Sequence, residues 1–523
     1  MGEARRQRIL STLYPLFALL CVATLILLFS LVGIFTRPPS LLAAFWPANA
    51  VLLGILLRYP RLASPPGWLG GLLGYLLASL FTEDPPLKTA LLTLGNLAGV
   101  SVGYLLFRRL DHEDKRLRRP TSIVYLLLIA MAASFAAGLV GAAINPMLFQ
   151  GSHLYGLGFW FASELVNYMA ILPVILTLPP PGTLPDWRRL LYQTNISWSR
   201  LLPLLSLVGT LLLTLLIEGP GSIAFPVPAL LWCAINYSVF ATSLLSLSFS
   251  TLILLALSNG YLTISQDVQT QYWMFSVRIG VMLIALTPLT AASIMATRNN
   301  LLRRMEYLAH HDHLTGVLNR AGFWPGAEQM AEKLERGKRP LAVCMLDLDN
   351  FKRINDRHGH EAGDKLLKAF TTTVSQHLRQ EDLFGRMGGE EFAVLLPDTT
   401  RAQTLDVVER LREEVARLKV LDGEGNPVSV TVSIGIACQH QGHFNLDRLL
   451  SLADQALYQA KHNGRNRVEL DAPADGGRSQ SGSRFAMQSC RPASSSVSRI
   501  CRQSSSRALT SPSNRLSPPI RTT

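Results

Sequence analysis

Apolar residues fall along this chain in two regimes. Up to about residue 297 they come in long runs broken by short polar loops, and beyond that they come in short blocks between charged residues. A membrane-crossing α-helix needs roughly 20 apolar residues. Runs of about that length occupy 9–34, 87–107, 122–146, 154–178 and 273–296, and shorter ones occupy 41–57, 67–81 and 201–217. The run 223–257 is too long for one crossing and breaks near Asn236-Tyr237, so it reads as two short spans, which makes ten in all. The first run is long, lacks a small-residue cleavage site and is followed by further spans, which argues against a cleaved signal peptide.

Basic residues orient these spans, because loops rich in Lys and Arg stay on the cytoplasmic side. Arg5, Arg6 and Arg8 precede the first span, Arg58 and Arg61 follow the second, and Arg108, Arg109, Lys115, Arg116, Arg118 and Arg119 follow the fourth. Arg188, Arg189 and Arg200 lie between the sixth and seventh, and Arg298 follows the tenth. An even count puts all of them on one face and leaves Arg37, Glu83, Asp84, Glu218 and Asp267 on the other. The reading is a multi-pass protein with its N-terminus and everything after Arg298 in the cytoplasm.

Residues 298–311 carry Leu301, Met305 and Leu308 at i, i+4 and i+7, one face of a helix. They read as a helical linker, either a plain spacer or a short parallel pair across a dimer. His310, His311 and His313 are not spaced as a zinc site.

The chemistry gathers in the second regime. An apolar strand over 341–346 runs into Asp347, Leu348 and Asp349, and a polar segment with Phe351, Lys352, Asn355 and Asp356 begins a helix. Gly359, His360, Gly363 and Asp364 follow. The stretch Arg386-Met387-Gly388-Gly389-Glu390-Glu391-Phe392 reads as strand, tight turn, strand. Its glycines can take positive φ and let backbone approach a ligand, and its paired carboxylates suit a divalent cation that in turn suits phosphates. Downstream come Ser433-Ile434-Gly435, then Ala453-Asp454, Tyr458, Ala460-Lys461 and Gly464-Arg465-Asn466-Arg467.

From Asp312-His313-Leu314-Thr315-Gly316 to Val468 this ordered set closely resembles the GGDEF family of diguanylate cyclases, in its GGEEF form. The resemblance implies an α+β domain, a mainly antiparallel sheet flanked by helices like nucleotidyl cyclases and polymerase palms. It implies synthesis of cyclic di-GMP from two GTP, with release of two pyrophosphates, by two domains facing each other in a homodimer.

Residue by residue, the resemblance places Mg²⁺ (with Mn²⁺ as a substitute), one or two per site, on Asp347, Glu390 and the backbone carbonyl of Leu348. Asp347 ends one strand and Glu390 begins another, and adjacent strands about 4.8 Å apart let both reach one ion. Glu390 is the residue the family offers as proton acceptor. A carboxylate that ligates metal is a poor base, so the choice between Glu390 and Glu391 stays open. Asn355 and Asp364 carry over as guanine readers, His360 as a nucleotide support, and Lys352, Lys461 and Arg465 as phosphate contacts. Arg379-Gln380-Glu381-Asp382, in register with Gly388-Gly389, matches the family's product-inhibition motif, to which Arg410 adds.

In the first regime, Phe45-Trp46-Pro47-Ala48-Asn49-Ala50 and Phe159-Trp160 with Glu164 and Pro173 are similar to MASE-type membrane-associated sensors over roughly residues 10–297. Glu164 is the carboxylate set deep in a predicted span, where an ionisable group suggests function. Its plain alternative is a hydrogen bond to a neighbouring helix. Trp46 is the second candidate sensor residue.

Composition then trims the alternatives. The net charge of +13 is carried by the membrane half and by 476–523, which holds eight Arg and no acid, whereas 301–475 is slightly acidic. That argues against a nucleic-acid surface on the cyclase. Residues 471–523 are rich in Ser, Arg and Pro and read as a disordered tail near anionic lipid. Cys21, Cys233, Cys344, Cys438, Cys490 and Cys501 have no metal or disulfide spacing and read as core thiols. The expected organisation is a membrane sensor over 1–297, a linker over 298–311, a cyclase over 312–470 and the tail. Its rivals are a catalytically dead nucleotide-binding domain and a transporter with a regulatory appendage. The expected location is the bacterial inner membrane.

Overall fold

The computed structural model describes residues 2–36, 45–82, 85–180, 198–217, 219, 221–259, 261–262 and 272–471, and only the backbone of 2–12, 199–200 and 272–274. The loop markers Arg37, Glu83, Asp84, Arg188, Arg189, Glu218 and Asp267, and the tail from 472 with Cys490 and Cys501, lie outside the described residues. The chain divides at Phe323/Trp324 into two compact units, about a dozen residues beyond the expected start of the cyclase.

The first unit is helical. Its elements are α1 (Gly2–Phe35), α2 (Ala48–Arg58), α3 (Pro65–Ser79), α4 (Pro86–Phe107), α5 (His112–Lys115), α6 (Pro120–Phe149), α7 (His153–Thr177), α8 (Trp198–Leu216), α9 (Val227–Asn236), α10 (Val239–Ser258) and α11 (Tyr272–His310). Every expected apolar run contains a helix. The break in 223–257 falls at Tyr237-Ser238, where the Ser238 hydroxyl accepts the Ala241 N–H and starts α10.

The helices do not all have the length of a span. Among the described residues six are long and apolar enough to cross a membrane. At 1.5 Å per residue, α2 and α9 extend only about 15–17 Å, roughly half a hydrocarbon core of ~30 Å. The described helices therefore do not all amount to full-length crossings. The reason is visible at α2, which starts in mid-bundle with Asn49 hydrogen-bonded to Glu164 of α7. Residues such as Leu16, Leu20, Leu94, Leu128, Leu139 and Leu283 point outward, the inside-out surface that lipid requires. Cys21 is likewise on this outer face and not in the core, whereas Cys233 and Cys344 are buried.

Two ends of this bundle are distinct. At one, Arg58 donates to the Leu178 carbonyl at 2.6 Å, and Thr297 of α11 donates to the Arg118 carbonyl at 3.3 Å. Burial, and then the charges of Arg58 and Arg118, push the Arg116 guanidinium down. At the other end, the Lys88 ammonium lies 5.7 Å from the Phe149 ring centre. The basic residues that follow α2 and α4 thus share one end with the exit of α11. That helix continues unbroken to His310, with Leu301, Met305 and Leu308 exposed. A two-residue strand, β1 (Leu318–Asn319), follows.

The second unit is α+β. Its helices are α12 (Arg320–Gly337), which begins at the junction, α13 (Phe351–His358), α14 (His360–His377), α15 (Arg401–Arg417) and α16 (Leu446–His462). Its strands are β2 (Leu341–Leu348), β3 (Leu383–Gly388), β4 (Glu391–Pro397), β5 (Lys419–Leu421), β6 (Pro427–Ser429), β7 (Val432–Gln439) and β8 (Val468–Leu470). Strands run in the order β3-β4-β2-β7-β8, antiparallel except for the parallel β7-β8 pair. β2 is central and nearly all buried. That explains its continuous apolar run, since a strand covered on both faces need not alternate. Phe370 of α14 packs on Phe392 of β4 with ring centres 4.7 Å apart, and Phe384 of β3 stacks beside them. α16 lies so close over β7 that a side chain at Gly435 would collide with the α16 backbone at Ala453 and Leu457. This close approach seats the last turn of α16 over the end of β2.

Candidate active site

Sheet order brings the carboxylates together. The antiparallel register sets Asp347 of β2 opposite Glu391 of β4 and, on its other side, opposite Ser433 of β7. Directly opposed residues share a face of the sheet, so Asp347 and Glu391 point the same way. β4 begins at Glu391, not at Glu390 as the sequence reading had it. Glu390 sits in the turn, and its carbonyl accepts the Leu348 N–H at 3.3 Å. Gly389 takes φ +44°, and Arg386 clamps its carbonyl through Nε at 2.9 Å and Nη2 at 2.6 Å. A side chain at Gly388 or Gly389 would meet no protein atom, so the space above the turn is open.

Lys461, near the C-terminus of α16, reaches into this group. Its ammonium lies 2.7 Å from Asp347 Oδ2. The sequence reading placed Lys461 on phosphate, whereas here it is held by the carboxylate. Asp347 is only 5% exposed. Burial pushes its carboxyl up, against the opposing hydrogen bond and charge of Lys461. Glu390 and Glu391 are raised by burial first and then by the Asp347 charge, with Lys461 relieving both. Three carboxylates thus share the Lys461 charge, with Arg465 adding a smaller favourable charge at Asp347.

Among the described residues no three His, Cys, Asp or Glu side chains converge as a closed metal cage. The donors present are the Asp347 and Glu390 carboxylates and the Leu348 carbonyl. That oxygen-only set suits a hard divalent cation that keeps several waters and is bound through one or two carboxylates plus substrate phosphates. The Lys461 ammonium shows that a cation is accommodated at Asp347.

The residues expected to read guanine lie on α13 and α14, which meet at Gly359 with φ +80°. The Asn355 side-chain oxygen lies against the backbone of Gly363, shielded from solvent and without a partner. Asp364 is the next residue and is exposed, as are His360 and Lys352. Arg465 is not on the same helix face as Lys461. α16 ends at His462, and Arg465 sits in the left-handed turn beyond Gly464.

Two supports escaped the sequence reading. Asp349 is 5% exposed and accepts the Thr431 hydroxyl at 2.7 Å, the Ser433 hydroxyl at 2.7 Å and the Asn466 N–H at 3.0 Å. It ties the exit of β2 to β7 and to the turn carrying Arg465. The only signal in the sequence was its place two residues after Asp347. His358 Nδ1 lies 2.9 Å from Asp422 Oδ2, linking α13 to the β5–β6 hairpin. That contact spans 64 positions, and nothing local announces it. The His358 hydrogen bond, followed by the Asn426 N–H, lowers the Asp422 carboxyl to about 2.

Arg379, Asp382 and Arg410 gather at the far end of β3. The Arg379 N–H donates to Asp382 Oδ2 at 2.7 Å, and Arg410 Nη2 donates to the His377 carbonyl at 3.3 Å. Burial raises the Asp382 carboxyl.

In the membrane unit, Glu164 is buried and accepts from Asn49 Nδ2 at 2.7 Å. Asn49 also donates to Asn96 Oδ1 at 3.1 Å and accepts the Tyr75 hydroxyl at 2.6 Å. The Trp46 N–H of the backbone donates to Asn167 Oδ1 at 3.3 Å. Arg278 was missed, although an arginine inside a predicted span was there to be seen. It is buried, donates to the Ser163 hydroxyl and lies 4.4 Å over the Phe159 ring.

This fold and site are those of a nucleotidyl cyclase joined to a multi-pass membrane domain. Residues 309–467 match the family model described as "Diguanylate cyclase, GGDEF domain", and residues 16–300 match MASE1. The chain belongs to the GGDEF diguanylate cyclases that carry a MASE1 membrane domain. It is 29% identical over 454 residues to the probable diguanylate cyclase DgcF of Escherichia coli O157:H7, covering 86% of this chain and 93% of that protein. It is 32% identical over 314 residues to DgcF of Escherichia coli K12, covering 59% of this chain and 96% of that protein. The GGDEF domain of DgcB from Caulobacter crescentus, solved with c-di-GMP, aligns at 30% identity over 31% of this chain and 93% of that one, with a TM-score of 0.30.

Proposed function

We propose that the chain makes cyclic di-GMP at the cytoplasmic face of the bacterial inner membrane, under control of its membrane domain. The observation that carries this reading is the pairing of Asp347 with Glu391 across β2 and β4 beside the open Gly388-Gly389 turn, with the Lys461 ammonium 2.7 Å from Asp347.

Asp347, Glu390 and the Leu348 carbonyl would hold Mg²⁺, one or two ions per site. When bound, Mg²⁺ neutralises the triphosphate and polarises the α-phosphorus. Lys461 and Arg465 take phosphate oxygens, Lys461 releasing Asp347 to do so, and Lys352 adds a further charge. Asn355 and Asp364 read guanine: the unpartnered Asn355 oxygen takes an N–H donor, and Asp364 accepts guanine N1–H and N2–H₂. His360 supports the nucleotide. Glu390 or Glu391 receives the 3′-OH proton, and the carboxyls of both, raised by burial and then by the Asp347 charge, suit a proton acceptor. Two cyclase units of a homodimer face each other, paired through Leu301, Met305 and Leu308, which are exposed on α11. Product feedback acts at Arg379, Asp382 and Arg410. The gathering of Arg58, Arg116 and Arg118 at the end where α11 leaves the bundle supports a cytoplasmic cyclase.

The test uses the full chain in detergent with GTP and Mg²⁺. Cyclic di-GMP and pyrophosphate form in wild type, and a chelator stops the reaction. Turnover by Asp347→Asn at the wild-type rate overturns the site assignment.

A further inference from the structure

The membrane unit holds a partly open pocket of about 120 Å³, comparable in volume to the ~150 Å³ cavity that admits benzene in an engineered protein. Trp46, Tyr75, Phe159 and Trp160 line it, and Glu164 is its charged residue. Glu164 is 4% exposed. Asn49 occupies its Oε1, whereas Oε2 is shielded from solvent and has no hydrogen-bond partner. Asn49 is held in turn by Asn96 and Tyr75, so Glu164 is fixed toward the cavity. The packing around the aromatic wall is equally tight. Trp160 is wedged where side chains at Gly95 and Gly141 would stand, and Trp46 lies against Gly33.

A carboxylate inside a membrane domain requires a partner, and among the described residues Glu164 has no ion-pair partner. The chemistry that completes it is a cation with N–H donors, small enough for the cavity and compatible with aromatic walls. We propose that this cavity binds a small primary ammonium compound carrying one apolar ring or short chain, its ammonium on Glu164 Oε2 and its apolar part among Trp46, Tyr75 and Trp160. Aromatic faces attract cations within about 6 Å of the ring centre, and a charged N–H donor to a carboxylate is stronger than a neutral one. The site lies within the membrane unit. Binding there is read without any cyclase activity, so its failure and that of the cyclase assignment are separable.

The experiment is calorimetric titration of the full chain in lipid nanodiscs, with empty nanodiscs subtracted to remove partitioning into lipid. The probes are benzylammonium chloride and benzyl alcohol, which share a ring and differ in the charged head. Wild type is expected to bind benzylammonium saturably, one per chain, and at least tenfold more tightly than benzyl alcohol. Glu164→Gln is expected to remove that preference. Thr93→Leu, which fills the cavity and leaves Glu164 in place, is expected to abolish binding while GTP turnover persists, which keeps the test independent of any misfolding of the Gln variant. Absence of saturable binding, equal affinity for the alcohol, or undiminished binding to Thr93→Leu overturns the proposal.

Discussion

Lys461 Nζ lies 2.7 Å from Asp347 Oδ2, a contact between the last turn of α16 and the end of β2 across 114 positions of sequence. It makes one lysine the shared counter-charge of Asp347, Glu390 and Glu391. Lys461→Met is therefore expected to raise the KM for GTP, by loss of a phosphate contact, and to lower the Mg²⁺ concentration giving half-maximal rate, because the ammonium no longer competes with the ion at Asp347. Losing a charge-assisted hydrogen bond is worth about 1.5–3 kcal/mol, roughly 10- to 150-fold in affinity. Initial rates over a grid of GTP and Mg²⁺ check this, and unchanged values of both would show the contact to be idle.

The raised carboxyls carry a stability consequence whose sign can be worked out. Glu390 and Glu391 are held above their ordinary range, so the folded state binds protons more readily than the unfolded chain does. Their contribution to stability is complete below the unfolded value of about 4.3 and is lost as pH rises through the raised value. With metal chelated at pH 7.5, Glu390→Gln is expected to unfold at a higher temperature than wild type, and the gap should close on acidification. A gap that is flat with pH, or that widens on acidification, contradicts this. Added Mg²⁺ should raise the wild-type transition more than that of the variant, since ligand binding to the folded state stabilises it.

Asp349 is a positioning residue with three donors on its carboxylate. Asp349→Ala orphans the Thr431 and Ser433 hydroxyls and the Asn466 N–H, at a cost of about 1–3 kcal/mol per buried unsatisfied group. The expected result is a lower unfolding temperature together with lost activity. Asp349→Asn keeps the shape and should recover stability more than rate. Wild-type stability in Asp349→Ala would remove the residue from this role.

Orientation is open to reporter fusions. A reporter active only in the cytoplasm should be active when fused after Arg298 and silent when fused after Asp267. Activity at both points would break the assigned parity of the helices.

Feedback is tested at Arg379. Arg379→Ala is expected to start at a similar rate and not to slow as product accumulates. Asp382→Ala should also escape inhibition, with some added loss of stability, because Asp382 also holds the Arg379 N–H in its turn. Progress curves that level off at one product concentration in wild type and Arg379→Ala would return Arg379 to an ordinary surface arginine.

How much of this was legible in the chain differs by residue. The hairpin around Gly388-Gly389 and the strand into Asp347 could be read directly, because turn chemistry and apolar runs are local. The break at Tyr237-Ser238 was legible for the same reason. The half-length of α2 was not. Residues 41–57 are apolar except for Asn49, and only the buried Asn49–Glu164 contact shows that this helix starts inside the bundle.

By itself the sequence determined the two-part organisation, the strand-turn-strand with its carboxylates, and the basic loops, since each rests on neighbours a few residues apart. Tertiary structure decided that Glu391, not Glu390, stands opposite Asp347. It decided that Lys461 is their common cation and that Asp349 and His358–Asp422 brace the site. It also set Glu164 in an aromatic cavity. The physical reason is that strand order, helix seating over Gly435 and burial follow from packing between segments tens to over a hundred residues apart, and no local pattern carries that information.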